Sequence, residues 1–199
     1  MRAAFFAGLV GLASAASLGR RGGPGGPGGC IDDAGAQKVA DNFRTLITSY
    51  SNASAEAYLT QDFTDYSDSV NELINNGCPN GPQPLGSATF TSLQSFEAGQ
   101  GGQPSIPFEN LNVWHGCDFV ALRWKSSAPG TVQPEQQVTG IIILEVSCNQ
   151  GNTGEPWLIN TVYSEFNSGA WLYDLGVFTP TCSSSKVKRT SNGLPIRML

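Results

Sequence analysis

The chain has 199 residues, is 40% hydrophobic and only 14% charged, and contains 24 glycines and 12 prolines. It therefore accommodates one domain and excludes a coiled coil, a charged disordered chain and a collagen. Between Cys30 and Cys182 only four cations (Lys38, Arg44, Arg123, Lys125) face all sixteen carboxylates, a formal charge of −12, which repels phosphate backbones and anionic membranes and argues against both as partners.

Residues 1–15 read as a secretory signal peptide: Arg2 is the basic start, Ala3–Leu12 the apolar stretch and Ala13-Ser14-Ala15 the small-residue cleavage site. The stretch is too short to span a hydrocarbon core of about 30 Å. Residues 16–29, with Arg20-Arg21 and a Gly/Pro run, read as a leader behind a dibasic processing site. The domain is expected over 30–180, followed by a disordered polar tail over 181–199 that holds a second dibasic pair, Lys188-Arg189. A secreted, extracellular protein is the expectation.

Within the domain, Asp32–Ser49 predicts a helix capped by Asp32 or Asp33, because Val39, Ala40, Phe43, Leu46 and Ile47 recur at three- and four-residue spacing. A short helix is predicted over Ser54–Leu59, preceded by Asn52-Ala53-Ser54, the single glycosylation acceptor of the chain. Phe63–Ser69 predicts a short strand, Val70–Ile74 a turn of helix, and Ser87–Phe96 an amphipathic helix. Beyond the Gly/Pro loop Gly99–Pro107 the period changes to two: Phe108–Lys125, Val138–Cys148, Trp157–Asn167 and Ala170–Val177 read as strands, with Asn167-Ser168-Gly169 as a hairpin turn. The class is α+β, helices packed on an antiparallel sheet. Val120, Leu122 and Trp124 alternate with Phe119 and Ala121, and Ile142 and Leu144 with Ile141 and Ile143. Apolar residues on both faces imply a sheet covered twice or curled around a pocket.

Five cysteines in a secreted chain predict disulfides, and none of the CxxC spacing of zinc sites occurs, so no metal is expected. Pairing Lys125 with about residue 140 sets Cys117 opposite Cys148, at a separation that satisfies the roughly 4.4–6.8 Å between bridged Cα atoms. Cys30 with Cys78 is the remaining pair, and Cys182 is left either free or competing for a partner.

Four segments carry a resemblance: Tyr58-Leu59-Thr60-Gln61-Asp62-Phe63-Thr64-Asp65-Tyr66-Ser67-Asp68-Ser69, Val113-Trp114-His115-Gly116-Cys117, Arg123-Trp124, and Tyr163-Ser164-Glu165-Phe166-Asn167-Ser168-Gly169-Ala170-Trp171. With the element order, they resemble the nuclear-transport-factor-2-like cone fold (SnoaL-like), most closely its secreted fungal members. The superfamily includes ketosteroid isomerase, scytalone dehydratase and polyketide cyclases alongside proteins that only bind ligands or partners, so the resemblance implies a cone-like curved sheet around a pocket, not an activity. It also leaves room for a homodimer through the outer sheet face. If Asp62 matches the second Asp of the isomerase's Tyr-Ala-Asp-Asp-type segment, the base position falls on Ser67, which is no base.

Alternation puts Phe63, Asp65 and Ser67 on one face, making Asp65 the general-base candidate. His115, the single histidine, is its candidate partner, on a strand face shared with Cys117 and Phe119. Tyr163, Glu165 and Asn167 alternate on another strand, where they could supply a carboxylate and an amide donor to a ligand. No Gly-x-Ser-x-Gly, phosphate loop or dinucleotide fingerprint occurs, so neither a serine hydrolase nor a cofactor is expected. Three readings follow. The leading one is a pocket protein binding a small apolar or aromatic molecule, lined by Phe63, Ser67, Phe119, Tyr163, Glu165 and Asn167. The second is a cofactor-independent lyase or isomerase using Asp65 and His115, and the third a secreted interaction protein with a solid cone.

Overall fold

A computed structural model describes residues 29–76, 84–127, 130–150, 152, 154–177 and 179. The expected signal peptide, the leader before Gly29 and the tail lie outside these residues, as do Cys78 and Cys182.

Asp32 accepts the Gly35 amide at 2.8 Å and opens α1 (Asp33–Thr48), whose stripe of Ala36, Val39, Ala40, Phe43 and Leu46 is buried. Ser51 caps α2 (Asn52–Tyr58), which leads directly into β1 (Leu59–Tyr66). Ser67 then caps α3 (Asp68–Ile74). After β2 (Ala88–Phe90), Ser92 and Ser95 form a capping box for α4 (Leu93–Gln100). Four longer strands follow, β3 (Glu109–His115), β4 (Phe119–Ser126), β5 (Val138–Cys148) and β6 (Trp157–Phe166), and then α5 (Ser168–Asp174). One curved, unclosed six-stranded sheet results, in the order β2-β1-β6-β5-β4-β3. Its pairs are antiparallel except β1 with β6, which run parallel. The core lies between the helices and the inner face, where Phe63, Val120, Leu122, Leu144 and Val162 have no measurable exposure.

Three predicted elements change. Ser87–Phe96 divides into β2 and α4 because Ser92 and Ser95 satisfy the first helical amides, while Ala88 and Phe90 pair with Tyr66 and Asp65 of β1. Phe108–Lys125 is a hairpin, β3 and β4, broken at Gly116, where a Cβ would stand 2.2 Å from the Phe119 ring. Ala170–Val177 is helix rather than strand: Asn167 accepts the Ala170 amide at 3.1 Å, so Asn167-Ser168-Gly169 starts α5 instead of turning a hairpin.

The disulfide pairing also differs. Cys30 is bonded to Cys117, with Cα atoms 4.2 Å apart, beside an Ile31 amide that donates to the Cys117 carbonyl at 3.0 Å. The β4–β5 register is Phe119 to Glu145, one residue from the predicted one, and the ladder ends before Cys117. Cys148 instead sits opposite Trp157 and is free. With Cys30 taken by Cys117, neither Cys30–Cys78 nor Cys117–Cys148 forms.

Candidate functional site

The curved sheet and the helices enclose a cavity of about 460 Å³. Phe43 and Ile47 come to it from α1, Leu73 and Ile74 from α3, and Trp171 from α5. Aromatic rings dominate: Trp124 stacks on Phe108 at 4.6 Å between centroids and meets Phe166 and Trp171 edge-on. The cone is therefore not filled, which removes the support for a solid interaction module. Gly140 makes room for this arrangement, since a Cβ there would lie 2.7 Å from the Trp124 indole nitrogen and 2.7 Å from the Glu165 carbonyl oxygen.

Into this apolar space β1 projects one acid. Asp65 is 7% exposed, and its Oδ1 is buried without a hydrogen-bond partner. Desolvation, and secondarily the negative charge of Glu165, push its pKa up to about 7. The Trp124 Nε1–H in the same wall is likewise buried without an acceptor. Gln100 and Gln103 sit elsewhere on the wall, and Ser164 shares the inner face of β6.

Of the residues predicted from sequence, Asp65 lines the cavity. His115 is not among the lining residues: its Nδ1 donates to the Gly116 carbonyl and its Nε2 meets Asp33 Oδ1, each at 2.9 Å, beside the disulfide. The Asp65–His115 pair is therefore not assembled. Phe63 is fully buried behind the wall, edge-on to Phe96 at 5.2 Å. The Ser67 hydroxyl accepts the Val70 amide as a helix cap, and Asn167 caps α5. Phe119, Tyr163 and Glu165 point outward, because the inward residues are Val120 on β4 and Val162 and Ser164 on β6. Tyr163 and Glu165 border a second, shallow depression on the outer face with Tyr66, Ile141 and Ile143. Asn52 is exposed at the start of α2, its Oδ1 accepting the Tyr50 hydroxyl at 3.0 Å.

Sequence reasoning missed Phe108, Trp124, Ser164, Phe166 and Trp171 as lining residues. Ser164 carried a signal, a polar residue on the same face as Val162. Among the described residues no group of three or more His, Cys, Asp or Glu is placed to hold a metal, and no helix is long and apolar enough to cross a membrane.

A family model described as an NTF2-like domain matches residues 29–178. Among solved structures, a candidate polyketide cyclase from Bacillus cereus superposes with a TM-score of 0.50 at 16% identity, covering 73% of this chain and 83% of that one. IdmH, a candidate polyketide cyclase from Streptomyces antibioticus, gives 0.49 at 12% identity over 71% of this chain and 98% of its own. A ketosteroid-isomerase-like protein from Catenulispora acidiphila, solved with trimethylamine, gives 0.48 at 12% identity over 72% and 98%. No curated protein matches. At these identities the likeness is one of fold.

Proposed function

Because this chain belongs to the NTF2-like domain family, whose fold supplies a cavity without dictating its use, we propose that it takes a small apolar or aromatic molecule into the cone and that Asp65 acts on it as general base and acid, in a cofactor-independent lyase or isomerase reaction. The observation that carries this reading is the buried Asp65 carboxyl, its Oδ1 without a hydrogen-bond partner, in an aromatic cavity. Titrating at about 7, it is present at neutral pH in both the form that takes a proton and the form that returns one. The ring-lined walls select a flat apolar body, and the Trp124 N–H is an unused donor for a substrate oxygen on which charge develops. The reaction is then a proton abstraction next to a carbonyl, completed by return of that proton elsewhere or by loss of a β-substituent.

The test is hydrogen–deuterium exchange at the α-carbon of an aromatic ketone such as 2-tetralone in D2O. Wild-type protein should accelerate exchange, and Asp65→Asn should lose roughly 10²-fold or more of it while still binding the ketone. Capture without chemistry is the second reading, favoured by the absence of His115 from the lining and by the use of Ser67 as a helix cap. Saturable binding of the ketone without exchange by the wild-type protein would select it.

Secretion is part of the same proposal, supported by the N-terminal pattern and the Cys30–Cys117 disulfide. Glycosylation of exposed Asn52 follows from it, and Asn52→Gln should abolish the mass increment on passage through a eukaryotic secretory pathway. A homodimer is proposed through the outer face, where Trp114, Ala121, Ile143, Tyr163 and Tyr66 form one row of cross-strand partners over five strands. Arg123 and Glu145 flank that row on opposite sides, so a second copy laid across it can bring unlike charges together. Ile143→Arg should leave a monomer in sedimentation equilibrium.

A further inference from the structure

Glu165 lies on the side of the sheet away from the cavity, yet its carboxylate is held by three donors. The Asp68 amide reaches it at 3.0 Å, the Ser69 amide at 3.1 Å and the Ser69 hydroxyl at 2.5 Å. The two amides open α3, where a helix leaves its first N–H groups without internal acceptors. The Ser69 oxygen also accepts the Phe166 amide at 3.0 Å, which fastens the same corner to β6 a second time. The parallel register aligns Asp65 with Val162 and Tyr66 with Tyr163, so the corner clamped by Glu165 is the one by which β1, just past Asp65, turns into α3. From that helix Val70, Leu73 and Ile74 form part of the cavity wall.

We propose that Glu165 is the positioning residue for Asp65: from the outer face it locks the β1–α3 corner that presents the carboxyl to the cavity, and it keeps a fixed negative charge behind that carboxyl. The proposal rests on the reading of Asp65 as the acid–base group. Among the described residues no other cavity-lining side chain is charged. Of the ionisable groups at the corner, Asp68 turns its Oδ1 to the Gly86 amide at 2.9 Å, and Tyr66 stacks on Tyr163. Glu165 is the charge that raises the proton affinity of Asp65 beyond what burial does. Replacing Glu165 by its amide removes the charge and leaves an acceptor for the α3 amides, so the titration of Asp65 separates the charge from the clamp.

The experiment is a carboxyl ¹³C NMR titration of aspartate-labelled protein, with Asp65→Asn to assign the resonance. Glu165→Gln keeps an acceptor for the α3 amides and removes the charge, so the proton affinity of Asp65 should fall roughly three- to tenfold. Ser69→Ala keeps the charge and weakens the clamp, so the midpoint should stay within about twofold of wild type while ketone binding weakens. If Glu165→Gln does not fold, raising the salt from 0.05 to 1 M on wild-type protein should lower the same midpoint, because an exposed charge is screened. An Asp65 midpoint indifferent to Glu165→Gln, or to salt where that variant is lost, overturns the proposal, as does an equal shift in Ser69→Ala. The titration needs no turnover, so a catalytically idle Asp65 that still responds to Glu165 would refute the enzymatic reading and leave the coupling standing.

Discussion

Ile142 and Ile143 are consecutive in β5, and one is 1% exposed while the other is 40% exposed. The same contrast runs along the whole sheet: Leu122, Leu144 and Val162 are sealed on the inner face, and Trp114, Phe119, Ile141 and Tyr163 stand open on the outer one. The polar groups are distributed the other way round. Glu165, which water could have served, has three protein donors, whereas Asp65, which water cannot reach freely, has an oxygen with none. Leaving a buried polar atom unpaired costs about 1–3 kcal/mol or more, a burden that chain packing alone has no use for. Apolarity thus separates the two faces less sharply than the fate of their carboxylates does.

The largest effect that would sharpen this contrast is in packing. Leu144→Ala should lose about 2–5 kcal/mol in chemical denaturation, since it leaves a hole in a sealed region, and Ile143→Ala under about 1 kcal/mol when compared below the concentration at which copies associate. Equal losses would mean that the two faces are packed alike.

Next comes the acid itself. With its folded pKa raised from 3.8 to about 7, Asp65 binds more protons in the folded than in the unfolded chain, so its contribution is most favourable below about pH 4 and is lost as pH rises toward 7. At 1.36 kcal/mol per pKa unit the loss approaches an upper value of about 4 kcal/mol. Asp65→Asn should therefore raise the stability measured at pH 8 and remove the falling limb between pH 4 and 7. A variant less stable than wild type at pH 8 would mean that the carboxylate is satisfied after all.

The smallest effect belongs to His115. The Gly116 carbonyl first, and then the Asp33 carboxylate, raise its pKa against an opposing desolvation. The stabilisation is present in full below the unfolded value of about 6.5 and disappears as pH passes the raised folded one. His115→Gln should cost under about 1 kcal/mol at pH 5.5, as exposed pairs do, and nothing at pH 9.

The stripe of α1 was legible because a 3.6-residue period has no competing interpretation over sixteen residues. Asp65 was legible for the same kind of reason, a period of two on a strand with Phe63 buried beside it. The rest depended on register, which the composition of a strand apolar on both faces does not encode. One residue of slip between β4 and β5 sends Cys117 to Cys30 instead of Cys148, and on β6 the opposite parity turns Tyr163 and Glu165 outward and Ser164 inward. Asn167-Ser168-Gly169 illustrates a second kind of ambiguity, because the residues that favour a tight turn also favour a helix cap. The coupling of Glu165 to the α3 corner joins positions some ninety-six residues apart, beyond the reach of any local pattern.

That distance has a bearing on the order in which the molecule is made. The strand that carries Asp65 finds its parallel partner only in β6, which begins about ninety residues further along the chain. Cys30 and Cys117 are both synthesised before β5 begins, so the bond that ties the start of α1 to the β3–β4 turn needs no residue of β5 or β6. Pairings across long stretches of sequence are slow to form and leave strand edges open meanwhile. In order of synthesis the acid-bearing wall is accordingly the last to have all its strands, and until β6 is made the edge of β1 opposite β2 has no strand to pair with.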